Sequence, residues 1–394
     1  MKLQAQSSRD LSVAFCKSAK CIATKNTIAI LDNVLLSKHE DGKFYFTSAT
    51  PDSQLTIPAP LTLIEGNFAK PIALPIDTIG KFVSSLPDCA ITFVFVDEKN
   101  VVLEYCTTVG DKVKTGKVSL TYFNGENFPT MAEPATATLH ISLPGTVFRD
   151  VIEKSRKFIA IDELRPFMSA LCIDVAEDLS DVVFVATNRH ILYKRVLSND
   201  PAKGGYDFFR GGGPGKMLLH LDYFRTVSVL NDAEKVDIES YGHNIRIWTK
   251  DSEFICKALE GKYPNYNSVI PRNNPYYITF DKKEMISVIK RVAMFSSESF
   301  NLIVLEKNGM LLNVSAQDID FGRSADDQVI ITNDECNDHF RICFKSSDLI
   351  DTISAIDSDT IRMTLADPSR AGVVTADEPS PSTLTLLIPM LIND

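Results

Sequence analysis

A chain of 394 residues, 44% hydrophobic and 23% charged, is long enough for two to four domains of ordinary size and too apolar to be disordered. Its net charge of −10 and pI of about 5.2 exclude a uniformly basic nucleic-acid binder, but not a basic stripe on an otherwise acidic protein. No run of 18 apolar residues is present and Met1–Asp10 lacks the apolar core of a signal peptide, so a cytoplasmic protein without membrane contact is expected.

In chain order, the first amphipathic helix is predicted over Arg9–Ala23. Asp41-Gly42 then turns the chain into a strand, Phe44–Thr50, and a second helix is predicted over Pro75–Ser85. The same order returns with a helix over Pro144–Ile159, a strand over Val182–Asn188 and a helix over Met217–Leu230. It returns again with a helix over Lys282–Phe295, Asn308-Gly309 leading into Met310–Gln317, and a helix over Ser346–Ile356. From first helix to second the starts lie 64 to 73 residues apart (9 to 75, 144 to 217, 282 to 346). A repeat of this kind predicts three similar α+β domains, each with two helices and several strands. Proline-marked turns at Glu133-Pro134 and Asn273–Pro275 put the domains at 1–134, 135–272 and 273–394. A glycine-rich stretch, Lys203–Lys216, reads as a loop within the second copy.

No catalytic residues are identified. The glycine-rich stretch lacks a P-loop's first glycine (Arg210) and the hydroxyl after its lysine (Met217), which removes the amide cradle and the magnesium ligand. HExxH, GxSxG and zinc-finger spacings are missing, and no two of the six histidines are four residues apart, so neither a metal nor a cofactor is expected. The eight cysteines are scattered singly and read as small buried apolar side chains.

Basic residues concentrate on the first helix of each copy: Lys17 and Lys20 with Lys25 just beyond, then Arg149, Lys154, Arg156 and Lys157, then Lys290 and Arg291. Such charges read either as a solvated helix face or as a repeated positive surface facing a polyanion. No aromatic residues interleave regularly with them, so contact would be with phosphates and independent of base sequence.

Five ordered segments resemble the bacterial DNA polymerase III beta subunit (beta sliding clamp) family. They are Ile30–Leu36, similar to its ILxNLLL strand; Val151–Ser155 through Met168–Leu171; Val185–Leu192, similar to VATDGHRL; Glu260–Pro271, similar to DGxFPDYxxVIP; and Leu386–Met390, similar to VVMPM. The resemblance runs through essentially the whole chain. It implies a non-catalytic processivity factor: a head-to-tail homodimeric ring of six domains around duplex DNA, helices inside and sheets outside. The partners it implies are the polymerase III alpha subunit, the clamp loader and other proteins carrying clamp-binding peptides. These would dock in a groove at Thr187, His190, Leu192, Pro264, Val269, Leu386, Ile388, Pro389 and Met390. The implied dimer interface joins Val118 and Leu120 to Met294 and Phe295, which read otherwise as core at a helix end; Leu384–Ile392 reads equally as a final buried strand. Arg189, Ile191, Ser268 and Ile388 depart from the family's pattern, which has Gly, Arg, Arg and Met there, and Leu391–Asp394 runs past its usual end. A three-repeat scaffold without a DNA role is the alternative on periodicity alone.

Overall fold

The computed structural model describes residues 1–109, 112–131, 136–199, 206–211, 215–335, 339–367, 369–378 and 381–390. The turn at Glu133-Pro134, residues 203–205 and 212–214 of the glycine-rich stretch, Cys336 and Leu391–Asp394 lie outside the described residues; within that stretch Asp207–Arg210 is a strand and not loop. The chain forms two compact units, one of Met1–Arg149 with Asp222–Ala258 and one of Asp150–Leu221 with Leu259–Asp394.

The helices among the described residues are α1 (Ser8–Ser18), α2 (Ile76–Ser84), α3 (Gly145–Ser155), α4 (Phe224–Val227), α5 (Lys282–Ala293) and α6 (Ser346–Ser354). Helix α1 starts where the Ser7 hydroxyl accepts the Asp10 N–H at 3.1 Å. It buries Leu11, Ala14, Phe15 and Ser18, a stripe at i, i+3, i+4 and i+7, with Phe15 stacked on Phe46. Helix α5 starts the same way, with the Asp281 carboxylate accepting the Glu284 N–H at 2.7 Å, and buries Met285, Val288, Ile289 and Val292. Helices α1 and α2 pack together in the first unit, as do α5 and α6 in the second.

The strand pairs described below are antiparallel. In the first unit one sheet runs Thr62–Glu65, Lys2–Ala5, Ile91–Phe95, Asn100–Val109, Lys112–Thr121. A second sheet there carries Val34–Lys38, Phe44–Thr50 and Ser53–Pro58, then Glu253–Lys257, Asn244–Trp248, Lys235–Tyr241 and Leu139–Pro144. In the second unit one sheet of twelve strands runs from Lys216–His220 to Arg341–Lys345. The same kind of strand joint occurs once inside each unit. Ser53–Pro58 of the first repeat pairs with Glu253–Lys257, the last strand of the second repeat, with Phe254 opposite Leu55. Ile191–Ser198 of the second repeat pairs likewise with Thr383–Leu387 of the third, with Leu192 opposite Leu386.

Three expectations change. The stretch 217–230 is not one helix: Lys216–His220 is a strand paired with Ala170–Val175, followed by a short turn and the single turn of α4. Met217, Leu218 and Leu219 are all buried, and an apolar run covered on both faces carries no alternation to mark it as strand. In Ile30–Leu36 the strand begins only at Val34, because the Asn33 amide bonds back to the carbonyls of Ala29 and Ile30 and closes a 3-10 turn. Cys16 and Cys106 are exposed, unlike the buried Cys21, Cys172, Cys256 and Cys343.

Candidate functional site

The hairpin Asp181–Thr187/Ile191–Ser198, the segment Tyr263–Val269 and the end of the last strand enclose a cleft of about 510 Å³ in the second unit. Its floor rests on a core of Cys172, Val185, Leu192, Leu218, Tyr263, Tyr266 and Leu386. The Tyr263 hydroxyl donates to the Val185 carbonyl at 3.3 Å and the Tyr266 hydroxyl to the Asp174 carboxylate at 2.9 Å, so both rings stand fixed. Burial, with the Asp174 charge beside it, pushes the Tyr266 phenol well above its ordinary range. Asn188 accepts the N–H groups of His190 and Ile191, both at 2.9 Å, and Thr187 donates to the Ile191 carbonyl at 2.8 Å, which sets the hairpin tip.

Of the nine groove residues read from the sequence, Thr187, Leu192, Pro264, Val269, Leu386 and Ile388 line this cleft. His190, Pro389 and Met390 do not line it; the Met390 N–H bonds to the Cys343 carbonyl at 2.8 Å. The sequence reading missed Arg165, Phe167, Met168, Tyr263, Tyr266 and Ala371 as lining residues. The signal for the two tyrosines was present, since they flank Pro264 in a quoted motif. Arg165 and Phe167 lie within a quoted segment that was not read as part of the groove, and nothing near Ala371 in sequence points to the site.

The basic side chains fall into two groups. Arg149 lies 3.7 Å from Asp232, Lys157 3.1 Å from Asp351 and Arg291 2.6 Å from Asp327. Lys154 is largely covered and bridges Asp150 and Asp357. Lys25, Arg156 and Lys290 are exposed and carry no ion pair among the described residues. Lys17 is half-buried on α1, and Lys20 donates to the Ser228 hydroxyl at 3.1 Å. Lys154, Lys157 and Arg291 thus stand in close ion pairs, whereas Arg149 only approaches an exposed acid.

Val118 and Leu120 are half-buried on Lys112–Thr121, the outermost strand of its sheet. Met294 and Phe295 follow α5 at 70% and 41% exposure, so they are not core. Arg323–Asp334 pairs along its first part with Leu311–Asp318 on one side only; its other side is taken up by Tyr276–Asp281 only from Ile331 onward.

The sequence profile of the DNA polymerase III beta subunit central domain matches residues 142–265, and that of the C-terminal domain of the same subunit matches residues 267–390. The chain belongs to the DNA polymerase III beta subunit family. Relatives in this family include the beta sliding clamp of Synechocystis, 25% identical over 396 residues, with 95% of each chain covered. The beta sliding clamp of Pseudomonas aeruginosa is 24% identical over 356 residues, covering 90% of this chain and 91% of that one. The fold is likewise that of solved clamps. The Pseudomonas aeruginosa sliding clamp bound to griselimycin superposes with a TM-score of 0.83 at 20% identity and full coverage of both chains. The beta subunit of Streptococcus pyogenes gives 0.84 at 19% identity, covering 99% of this chain and all of that one. As a beta-clamp family member the chain is a non-catalytic replication protein of α+β clamp fold.

Proposed function

We propose that two copies of this chain close head to tail into a ring of six domains around duplex DNA and tether the replicative polymerase to it. The domains are 1–134, 135–272 and 273–394. The observation that carries this reading is the pattern of strand joints. Twice within the chain, the second strand of a repeat's hairpin pairs with the last strand of the next repeat. The third repeat has such a hairpin strand, Arg323–Asp334, and the first repeat has such a last strand, Lys112–Thr121; along Arg323–Ile330 and along the whole of Lys112–Thr121, among the described residues, the outer edge has no strand beside it. A second copy supplies what each lacks, and heterologous contacts of this kind close a ring when the rotation permits. Complementary charge supports the same pairing: Lys112, Lys114 and Lys117 stand on one strand and Asp326 and Asp327 on the other, with Lys117 also on Glu104 and Asp327 on Arg291, both at 2.6 Å, within their own subunit. Val118, Leu120, Met294 and Phe295 supply apolar contact in this interface.

Lys17, Lys20, Lys25, Arg149, Lys154, Arg156, Lys157, Lys290 and Arg291 form the DNA-facing set. With Lys154, Lys157 and Arg291 paired to acids, phosphate contact is weak, as sliding requires. The cleft at Thr187, Leu192, Pro264, Val269, Leu386 and Ile388, with His190, Pro389 and Met390 at its margin, receives short peptides of the polymerase III alpha subunit, the clamp loader and other replication and repair proteins. No described helix is long and apolar enough to cross a membrane, which fits work in the cytoplasm.

Light scattering after size exclusion tests the ring first: a mass twice the 43.7 kDa of the chain is expected. A monomer that persists at high micromolar concentration overturns it. Loading onto primed circular DNA by a cognate loader then tests the clamp role, and retention on circular but not linear DNA is the expected result.

A further inference from the structure

Lys194 lies in the hairpin strand Ile191–Ser198, opposite Val185 on one neighbouring strand and Leu384 on the other. It is half-buried, with these two apolar side chains beside its stem. Its ammonium stands 5.6 Å from the centre of the Tyr266 ring and donates to the neutral side-chain carbonyl of Asn267 at 3.3 Å. Among the described residues it has no ion pair. The charged groups around it are Asp181 on the strand beside it, and Asp174 and Lys216 on the next two strands of the sheet. The last strand, Thr383–Leu387, brings no titratable group. Lys216 holds Asp174 at 3.0 Å and stands 5.4 Å from the centre of the same ring, so acid and ring are divided between two cations.

No other lysine described in the second unit is placed this way. Lys154, Lys157, Lys216, Lys283 and Lys307 lie on acids. Lys282 donates to the carbonyls of Ser354 and Ile356 at the end of α6. Lys262, Lys290 and Lys345 have no acid either, but they are exposed and keep their water. Burial disfavours an ammonium ion more than the amine; at Lys194 it outweighs Asp181 and Asp174 and holds the pKa below the ordinary lysine value. A larger share of this side chain is therefore the neutral amine, the form with a nucleophilic lone pair.

We propose that Lys194 is an acylation site that takes a small acyl group from an acyl phosphate. The Nζ lone pair of the neutral amine attacks the acyl carbonyl carbon. The bond from that carbon to the phosphate oxygen breaks, inorganic phosphate leaves, and one amine proton passes through water to the phosphate. Lys216, on the same ring, supplies a positive charge toward the anionic donor. The product is an uncharged amide beside Tyr266, on the wall of the cleft. Nothing in this chemistry depends on what the cleft receives.

The test treats the full-length protein with acetyl phosphate over a pH series and reads the initial rate at each lysine by peptide mapping and mass spectrometry. Near neutral pH, Lys194 should acetylate about three-fold faster than the exposed, unpaired Lys262, Lys290 and Lys345, and its rate should rise at lower pH than theirs. Asn267 is exposed and its replacement should not disturb the fold, which a melting curve checks. Asn267→Asp puts a carboxylate on the amine, favours the ammonium, and should bring the Lys194 rate down to that of the exposed lysines while theirs stay unchanged. A Lys194 rate no faster than those three at every pH overturns the proposal. So does a fast rate that Asn267→Asp leaves untouched, because the amine would then owe its reactivity to something other than a half-buried site without an acid.

Discussion

Arg291 donates from Nε and Nη2 to one carboxylate oxygen of Asp327, at 3.0 and 2.6 Å, and so ties α5 to a strand whose outer edge is unpaired. The bond to Arg291 first, then the Gln328 N–H, hold the Asp327 carboxyl below its ordinary range. A depressed carboxyl stabilises the fold above the unfolded-state value near 4 and loses that contribution as pH falls through the folded value. Both side chains are substantially exposed, so Arg291→Ala should cost less than about 1 kcal/mol in urea unfolding at pH 7, and the difference from wild type should shrink below about pH 4. Its effect on retention of the loaded clamp should be smaller than that of Lys290→Ala, because Arg291 has most of its charge balanced already. Equal losses from the two variants in a salt-challenge retention assay would show that the pairing does not screen the helix.

The same strand sets a prediction for the subunit joint. Replacing Lys112, Lys114 and Lys117 together by glutamate puts like charges opposite Asp326 and Asp327 and should shift the dimer toward monomer by on the order of ten- to a hundred-fold in Kd. Asp326→Lys with Asp327→Lys in the other copy should recover much of the loss. Sedimentation equilibrium on mixtures of the two variants reads this directly, and a triple variant that dimerises like wild type would place the joint elsewhere.

Within the helix set, Lys154 and Arg156 should behave oppositely. Lys154 is largely covered between Asp150 and Asp357, and removing it leaves two carboxylates facing each other. Lys154→Ala should therefore destabilise the protein by roughly 1–3 kcal/mol. Arg156 is exposed at the end of the same helical segment, so Arg156→Glu should leave stability within about 0.5 kcal/mol and shorten retention on DNA. Denaturant unfolding beside a retention assay separates the two effects.

What the sequence made legible follows from how local each signal is. Phe44–Thr50 and Leu311–Asp318 both follow glycine turns at positive φ, and Leu311–Asp318 also alternates buried with less buried residues, so there turn and strand marked one another. Helices α1 and α5 announced themselves by an apolar stripe within a dozen residues. The strand at Met217–Leu219 did not, because its partner Ala170–Val175 lies far back in the chain and both its faces are covered. The cleft was legible where it is built from residues inside recognisable motifs, as with Leu192 and Leu386, which sit opposite each other across a strand pair. Arg165, Phe167 and Ala371 reach it only through tertiary packing, and the acids that balance Lys157 and Arg291 lie on other elements, so composition along one helix overstates its free charge.

The thiols give a final prediction that tests burial and alkaline stability together. Burial pushes Cys21 up to about 11 and Cys172 up to about 12, and burial also pushes the Tyr241 phenol up to about 12. Each group is neutral in the fold over a range where the unfolded chain has already ionised: above about 9 for the thiols and about 10 for the phenol. Stability is thus unaffected by these groups at neutral pH, begins to fall above about pH 9, and keeps falling until the folded values near 11 and 12 are reached. In the native protein at pH 8, iodoacetamide should label Cys16 and Cys106, which are exposed, and spare Cys21, Cys172, Cys256 and Cys343 until denaturant is added. Peptide mapping by mass spectrometry distinguishes the sites. Rapid native labelling of Cys172 would mean that the core under the cleft opens readily, and the cleft would then have to be treated as a moving surface and not as a preformed one.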